Sequence, residues 1–173
     1  PPPGLVLFNT LAGSVPPCVW SMPNLTVLHL TGNGLTGQIN LPNTARPQPM
    51  MTNLSLAHNK LSGALPSWLI TRPLIRFDVS YNRFTGELDC YDGDCKRKGY
   101  YNNSAFVTEV NRLSGRLPSF LATAYSSLTV VHGNLFGCDQ HSPSTGEDKA
   151  AFVCGSSDLN GSRFVVAVGW GLL

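Results

Sequence analysis

The sequence predicts a repeat solenoid: a right-handed superhelix of short stacked coils with a parallel β-sheet along its concave side. Three observations carry that prediction. An asparagine followed two residues later by a bulky apolar residue occurs at Asn9, Asn33, Asn59, Asn82, Asn111 and Asn134, at intervals of 24, 26, 23, 29 and 23 residues. In five of these copies a glycine follows two residues further on (Gly13, Gly37, Gly63, Gly86, Gly115), and in the last that slot holds Cys138. Ahead of the asparagine the clearest copies read L-x-x-L-x-L-x-x-N: Leu25, Leu28, Leu30 and Asn33; Met51, Leu54, Leu56 and Asn59; Leu74, Phe77, Val79 and Asn82. A fixed period of this size means one small unit stacked on copies of itself, each unable to bury its apolar side chains alone.

Each part of the unit has a physical assignment. The closing L-x-L alternates with period two, as a short strand with one buried face does. Each asparagine is expected to turn inward and bond the backbone where one coil passes to the next, because a buried amide needs partners. An apolar residue returns six positions after the asparagine (Val15, Ile39, Leu65, Leu88, Leu117), followed in three copies by Pro16, Pro66 or Pro118. From there, glycine- and proline-bearing segments with short helical turns are expected to form the opposite side. Two copies depart from the pattern. Thr108 occupies an apolar slot before Asn111, and Leu128-Thr-Val130 sits one residue early before Asn134.

These repeats resemble the leucine-rich repeat, and the L-x-G-x-[IVL]-P tail is similar to the extracellular class found in plant receptors and protist surface proteins. The resemblance covers roughly residues 5–138. It divides the chain into repeats over 1–137, with an insertion near 89–103, and a cap with an apolar tail over 138–173. It implies a recognition surface without a cofactor or a catalytic pocket: the ectodomain of a receptor, adhesin or inhibitor that binds a protein or glycan through the concave face. That step from fold to role is an analogy.

Length and charge agree. The chain has 173 residues, enough for one domain, and a net charge of +2 with 13% charged residues, which marks neither a nucleic-acid nor a membrane-surface binder. Its basic run Lys96-Arg97-Lys98 follows Asp89, Asp92 and Asp94, and the two nearly cancel. Calcium at those aspartates would need a fuller ligand spacing. The cysteines lack the paired short spacings of a zinc site, and no phosphate loop or metalloprotease helix occurs.

Cysteine usage points to an oxidising compartment. Cys90 and Cys95 flank a Tyr-Asp-Gly-Asp turn, as a local disulfide pinning the insertion would. Cys138 and Cys154 bracket the segment where the repeats stop, which looks like a C-terminal cap closed by a disulfide. Cys18 has no obvious partner, leaving a free thiol, an intermolecular bond or a partner in further sequence open. Four N-x-[ST] sequons, at Asn24, Asn53, Asn102 and Asn160, fit the secretory pathway and a place outside the cell or on its surface. Asn53 is expected on the concave face, where a glycan would obstruct binding. The tail Phe164–Leu173 is too short to span a bilayer. A cap strand, the start of a membrane anchor continuing beyond residue 173, and a strand given to a neighbour all fit it.

Adjacent strands lie about 4.8 Å apart, so equivalent positions form columns across the sheet. One column holds His29, Ser55 and Asp78, the residue types of a hydrolase triad. That chemistry needs the imidazole between hydroxyl and carboxylate, whereas here the serine is in the middle. An open sheet also excludes no water. Contact rather than catalysis is therefore expected of these positions. Arg76, His58 and Tyr81 are types favoured at binding hot spots and should lie near one another. The ligand face thus comprises His29, Ser55, His58, Arg76, Asp78 and Tyr81. Tyr91, Tyr100 and Tyr101 make the insertion a second contact candidate. A structural subunit that polymerises head to tail through its two ends is the alternative.

Overall fold

The computed structural model describes residues 4–6, 11–40, 50–72, 74–88, 104–118, 120–121 and 125–137. The insertion with Tyr91, Tyr100 and Tyr101, the cysteines Cys90, Cys95, Cys138 and Cys154, the sequons at Asn102 and Asn160, the metal-ligand candidates Asp89, Asp92 and Asp94, and the cap and tail all lie outside those residues.

Among the described residues twelve short strands follow one another: β1 (Gly4–Val6), β2 (Ala12–Gly13), β3 (Val27–His29), β4 (Gly34–Gly37), β5 (Asn53–Ser55) and β6 (Lys60–Gly63). After these come β7 (Arg76–Asp78), β8 (Arg83–Glu87), β9 (Ala105–Val107), β10 (Arg112–Gly115), β11 (Ser127–Thr129) and β12 (Leu135–Phe136). The odd-numbered strands make one six-stranded sheet and the even-numbered strands another, each in coil order. All pairings are parallel, as a solenoid demands.

The first sheet is the one the repeat pattern predicts. Its register sets Leu28 beside Leu54, Leu54 beside Phe77, Phe77 beside Phe106 and Phe106 beside Leu128. Leu28, Leu54, Phe77 and Phe106 are fully buried, and the Phe77 and Phe106 rings stack with centroids 4.6 Å apart. Each coil thus hides its apolar side chains behind the next.

The second sheet was not anticipated. The repeat pattern assigns no element to the segment directly after each asparagine, and Gly34–Gly37 and its counterparts are strands. They alternate as well: Leu35, Leu61, Phe84 and Leu113 point into the core, while Thr36, Lys60, Arg83 and Arg112 are exposed. Three residues of alternation were too little signal to distinguish a strand from a turn. Four of the strands, β2, β4, β6 and β10, end on a glycine held at φ between +81° and +89°, and Gly86 near the end of β8 is at +82°. That backbone bends the chain out of the sheet and is open to little but glycine. Helical content is small in the described residues: a 3-10 turn at Pro17–Ser21, a single turn of α-helix at Ser67–Ile70, and the helical residues Phe120 and Leu121.

The asparagines tie the two sheets together. Each Oδ1 accepts a hydrogen bond from a backbone N–H of the preceding coil: Asn33 from Leu11, Asn59 from Leu35, Asn82 from Leu61, Asn111 from Phe84 and Asn134 from Leu113, at 3.0–3.1 Å. The amide nitrogens donate to backbone carbonyls of their own coil, and Asn59, for example, also reaches the Leu30 carbonyl at 2.9 Å. Inward-turned amides were expected, and this is their geometry.

Both departures are accommodated. Thr108 is fully buried and its Oγ1 has no hydrogen-bond partner, which costs about 1–3 kcal/mol. In the last copy Leu128 keeps register with Phe106, and the extra residue is absorbed in the turn. Asn134 there donates to the carbonyl of Val130, four residues back, rather than three as in its counterparts.

On the flank of the stack Trp20 meets Trp68 edge to face at 6.0 Å, and Arg72 lies with its guanidinium 5.6 Å from the Trp68 ring. Burial lowers the Arg72 pKa to about 10, which leaves it charged at neutral pH. No helix among the described residues is long and apolar enough to cross a membrane.

Candidate functional site: the concave sheet and its rim

The outward residues of the first sheet form two columns in register. One runs His29, Ser55, Asp78, Val107 and Thr129, and the other Val27, Asn53, Arg76, Ala105 and Ser127. The suggested contact residues separate into two groups here. Ser55 and Asp78 are buried, at 7% and 8% exposure. The reason is local bonding. The Ser55 and Thr31 hydroxyls share a 2.6 Å hydrogen bond. The Asp78 carboxylate accepts from the Ser80 hydroxyl at 2.7 Å and the Ser80 N–H at 3.2 Å, and it pairs with Arg76 at 3.4 Å. No imidazole lies between Ser55 and Asp78: each is engaged with other partners. His29 is half-buried, and its Nε2 is enclosed without a hydrogen-bond partner.

His58, Arg76 and Tyr81 remain exposed. The His58 and Tyr81 rings stack in parallel with centroids 4.3 Å apart. Both residues, with Val110 of the next coil, have left-handed backbone at φ 54°, 53° and 52°. They occupy the slot just before the asparagine, which Gly32 and Gly133 fill in coils on either side, at φ 71° and 69°. A non-glycine residue there is strained, a β-branched valine most of all. Backbone bonds hold the conformation: the N–H of His58 donates to Ser80, that of Tyr81 to Glu109 and that of Val110 to His132, at 2.8–3.0 Å. The sheet ladder continues past the strand ends and fixes a rim on which these side chains stand.

Sequence reasoning missed part of this rim. Val110 belongs to it, and so does the pair of Glu109 and His132, whose Oε2 and Nδ1 atoms lie 3.7 Å apart. Both fall in the two poorly matching copies. Aligning those copies on Asn111 and Asn134 instead of on their leucines would have placed them. Of the two sequons inside the described residues, Asn24 is exposed in the turn before β3, while Asn53 lies in β5 with its Oδ1 enclosed. Cys18 is a free, exposed thiol.

Comparison with known proteins places this architecture. A leucine-rich repeat family model matches residues 50–71. The chain is similar to Receptor-like protein 32 of Arabidopsis thaliana, 34% identical over 61% of this chain, and to Receptor-like protein 35 of the same plant, 30% identical over 75%. It spans only 12% and 14% of the lengths of those two relatives. Among solved structures it is similar to a pollen receptor kinase 3, with 25% identity, a TM-score of 0.59, and coverage of 75% of this chain and 60% of that one. The leucine-rich-repeat ectodomain of the Arabidopsis receptor kinase HAESA, solved with an N-terminally extended IDA peptide hormone, is similar at 25% identity and a TM-score of 0.60. That likeness covers 74% of this chain and 21% of the HAESA ectodomain. With its stacked coils, inward asparagines and two parallel sheets, the chain is a leucine-rich repeat protein, similar to plant receptor-like proteins.

Proposed function

We propose that this chain is a ligand-recognising part of a receptor ectodomain at the plant cell surface, and that an extended peptide or protein segment lies along its concave sheet. The observation that carries this reading is the exposed His58–Tyr81 stack, held in strained backbone where neighbouring coils use glycine. Strain of that kind persists where the surrounding structure over-determines it, and it clusters at binding sites. Arg76, with 56% of its side chain exposed, adds a cation on the same sheet, while Asp78 and Ser80 fix its base. An aromatic pair with an arginine has the composition of an interface hot spot. The named relatives are receptors, and the HAESA ectodomain holds a peptide, which supports a peptide as the ligand class. Contact, not chemistry, is the role of a surface this shallow.

Selection of binders from a random peptide library on the secreted protein tests the reading. The selected peptides should lose about tenfold or more in affinity on Tyr81→Ala or His58→Ala, as truncated hot spots do. Peptides that bind both variants as well as the parent would remove the concave rim from the site. The mass of the same secreted protein reads the compartment: a glycan on the exposed Asn24 is expected, and a bare Asn24 would count against passage through the secretory pathway.

A further inference from the structure

The second sheet carries a pattern of its own. Lys60, Arg83 and Arg112 each follow the asparagine of their coil and flank a buried apolar residue, so all three project outward from neighbouring strands. None of the three is in an ion pair or a side-chain hydrogen bond among the described residues. The register places a hydroxyl residue of the adjoining strand opposite each one: Thr36 opposite Lys60, Ser62 opposite Arg83 and Thr85 opposite Arg112. Among the described residues one acidic side chain, that of Glu87, lies on this face, and it rests against Gly115 of the next coil. The result is a cation beside a hydroxyl, presented three times in succession. Successive cations are one strand across and two residues along, roughly 8 Å apart from strand spacing and rise.

We propose that this face docks a linear anionic polysaccharide, an extended chain that carries a carboxylate and free hydroxyls on every sugar. The repeated cation and hydroxyl of the sheet suit a ligand that itself presents carboxylates and hydroxyls at a regular repeat. Arginine and lysine take the carboxylates, with the guanidinium fork suited to both oxygens. The Thr36 and Ser62 hydroxyls donate to the backbone carbonyls of Gly13 and Gly37, at 3.4 and 3.5 Å, and keep their lone pairs to accept from sugar hydroxyls. A protein partner fits less well, because interface cores are rich in aromatic residues and poor in lysine. From β4 to β10 the outward positions of this sheet hold no aromatic side chain. The face shares no residue with the concave rim, so the proposal stands or falls independently of the peptide reading.

Calorimetric titration of the full chain with a polygalacturonate oligosaccharide long enough to cross all three cations tests it. Binding is expected, and it should weaken as salt screens the charges. The triple change Lys60→Gln, Arg83→Gln and Arg112→Gln should weaken it about tenfold or more while leaving the unfolding midpoint in place, since all three side chains are exposed. Thr36→Ala, Ser62→Ala and Thr85→Ala together should weaken polygalacturonate binding but not that of poly-glutamate of matched charge. Failure to bind polygalacturonate, a triple charge variant equal to the parent, or hydroxyl changes that leave polygalacturonate affinity unaltered would each overturn the proposal. Poly-glutamate binding as tight as that of polygalacturonate would transfer the face to an acidic peptide and overturn it as well.

Discussion

Four coils, those of Asn33, Asn59, Asn82 and Asn111, are described at two left-handed turns each, and the two places differ in what they admit. At the end of the second sheet the slot holds Gly13, Gly37, Gly63, Gly86 and Gly115, with φ between +81° and +89°. At the rim of the first sheet it holds Gly32, His58, Tyr81, Val110 and Gly133, with φ between 52° and 71°. The small left-handed region open to ordinary residues spans about +50° to +70°, so the rim lies within or at its edge and the second-sheet slot lies beyond it. The rim can therefore vary from coil to coil at a modest cost, whereas the second sheet cannot. The same contrast runs through the outward positions. The first sheet shows His29, Ser55, Asp78 and Val107 in one column, while the second repeats Lys-Leu-Ser-Gly, Arg-Phe-Thr-Gly and Arg-Leu-Ser-Gly. A varied face suits one particular partner, and a repetitive face suits a repetitive one.

The comparison can be tested by substitution. Asn111 joins the sheets: it accepts from the Phe84 N–H and donates to the carbonyls of Val79, Thr108 and Glu109. Asn111→Ala should lower stability by about 3 kcal/mol or more, because it strands several buried backbone groups. Denaturant unfolding would read this, and a loss below about 1 kcal/mol would mean the sheets hold together without the amide ladder. Gly86→Ala comes next. The added methyl has room, with Ala64 Cβ at 3.7 Å, so the expected loss of about 1–2 kcal/mol is pure backbone strain. The same melts on Gly32→Asn at the rim should show well under that loss, and equal losses would erase the distinction between the slots.

Two smaller effects sharpen the contrast. Thr108→Val keeps the shape and removes the unpartnered hydroxyl, so thermal unfolding should shift upward by the equivalent of about 1 kcal/mol. Tyr81→Gly relieves a left-handed residue but forfeits the stack on His58, two terms of about 1 kcal/mol that oppose one another. Its melting point should hardly move, while the affinity of peptides selected on the concave face falls about tenfold. A large drop in stability with no change in binding would make the stack a structural device.

Particular residues show how far the sequence could be read. Leu28, Leu54 and Phe77 were assigned to one buried column and occupy it, because period-two alternation before a regularly spaced asparagine leaves little choice. His58 and Tyr81 were expected to lie near one another and they stack. Ser55 and Asp78 were nominated for ligand contact on strand position alone. Position says which way a side chain starts out, not which neighbour folds over it, and Thr31, Ser80 and Arg76 engage them in this fold. The strands of the second sheet were too short to announce themselves. They exist because each lies against a preformed copy in the next coil.

What the chain determined by itself is everything that repeats: the stacking, the apolar column, the inward asparagines and the slots that need glycine. Those follow from the chemistry of single residue types at a fixed period. Only the tertiary structure decided whether Ser55 remains available, since its partner Thr31 belongs to another coil, 24 residues away. It also decided that Lys60, Arg83 and Arg112 stand beside hydroxyls of adjoining strands, because register between coils is a property of the stack and of no single coil.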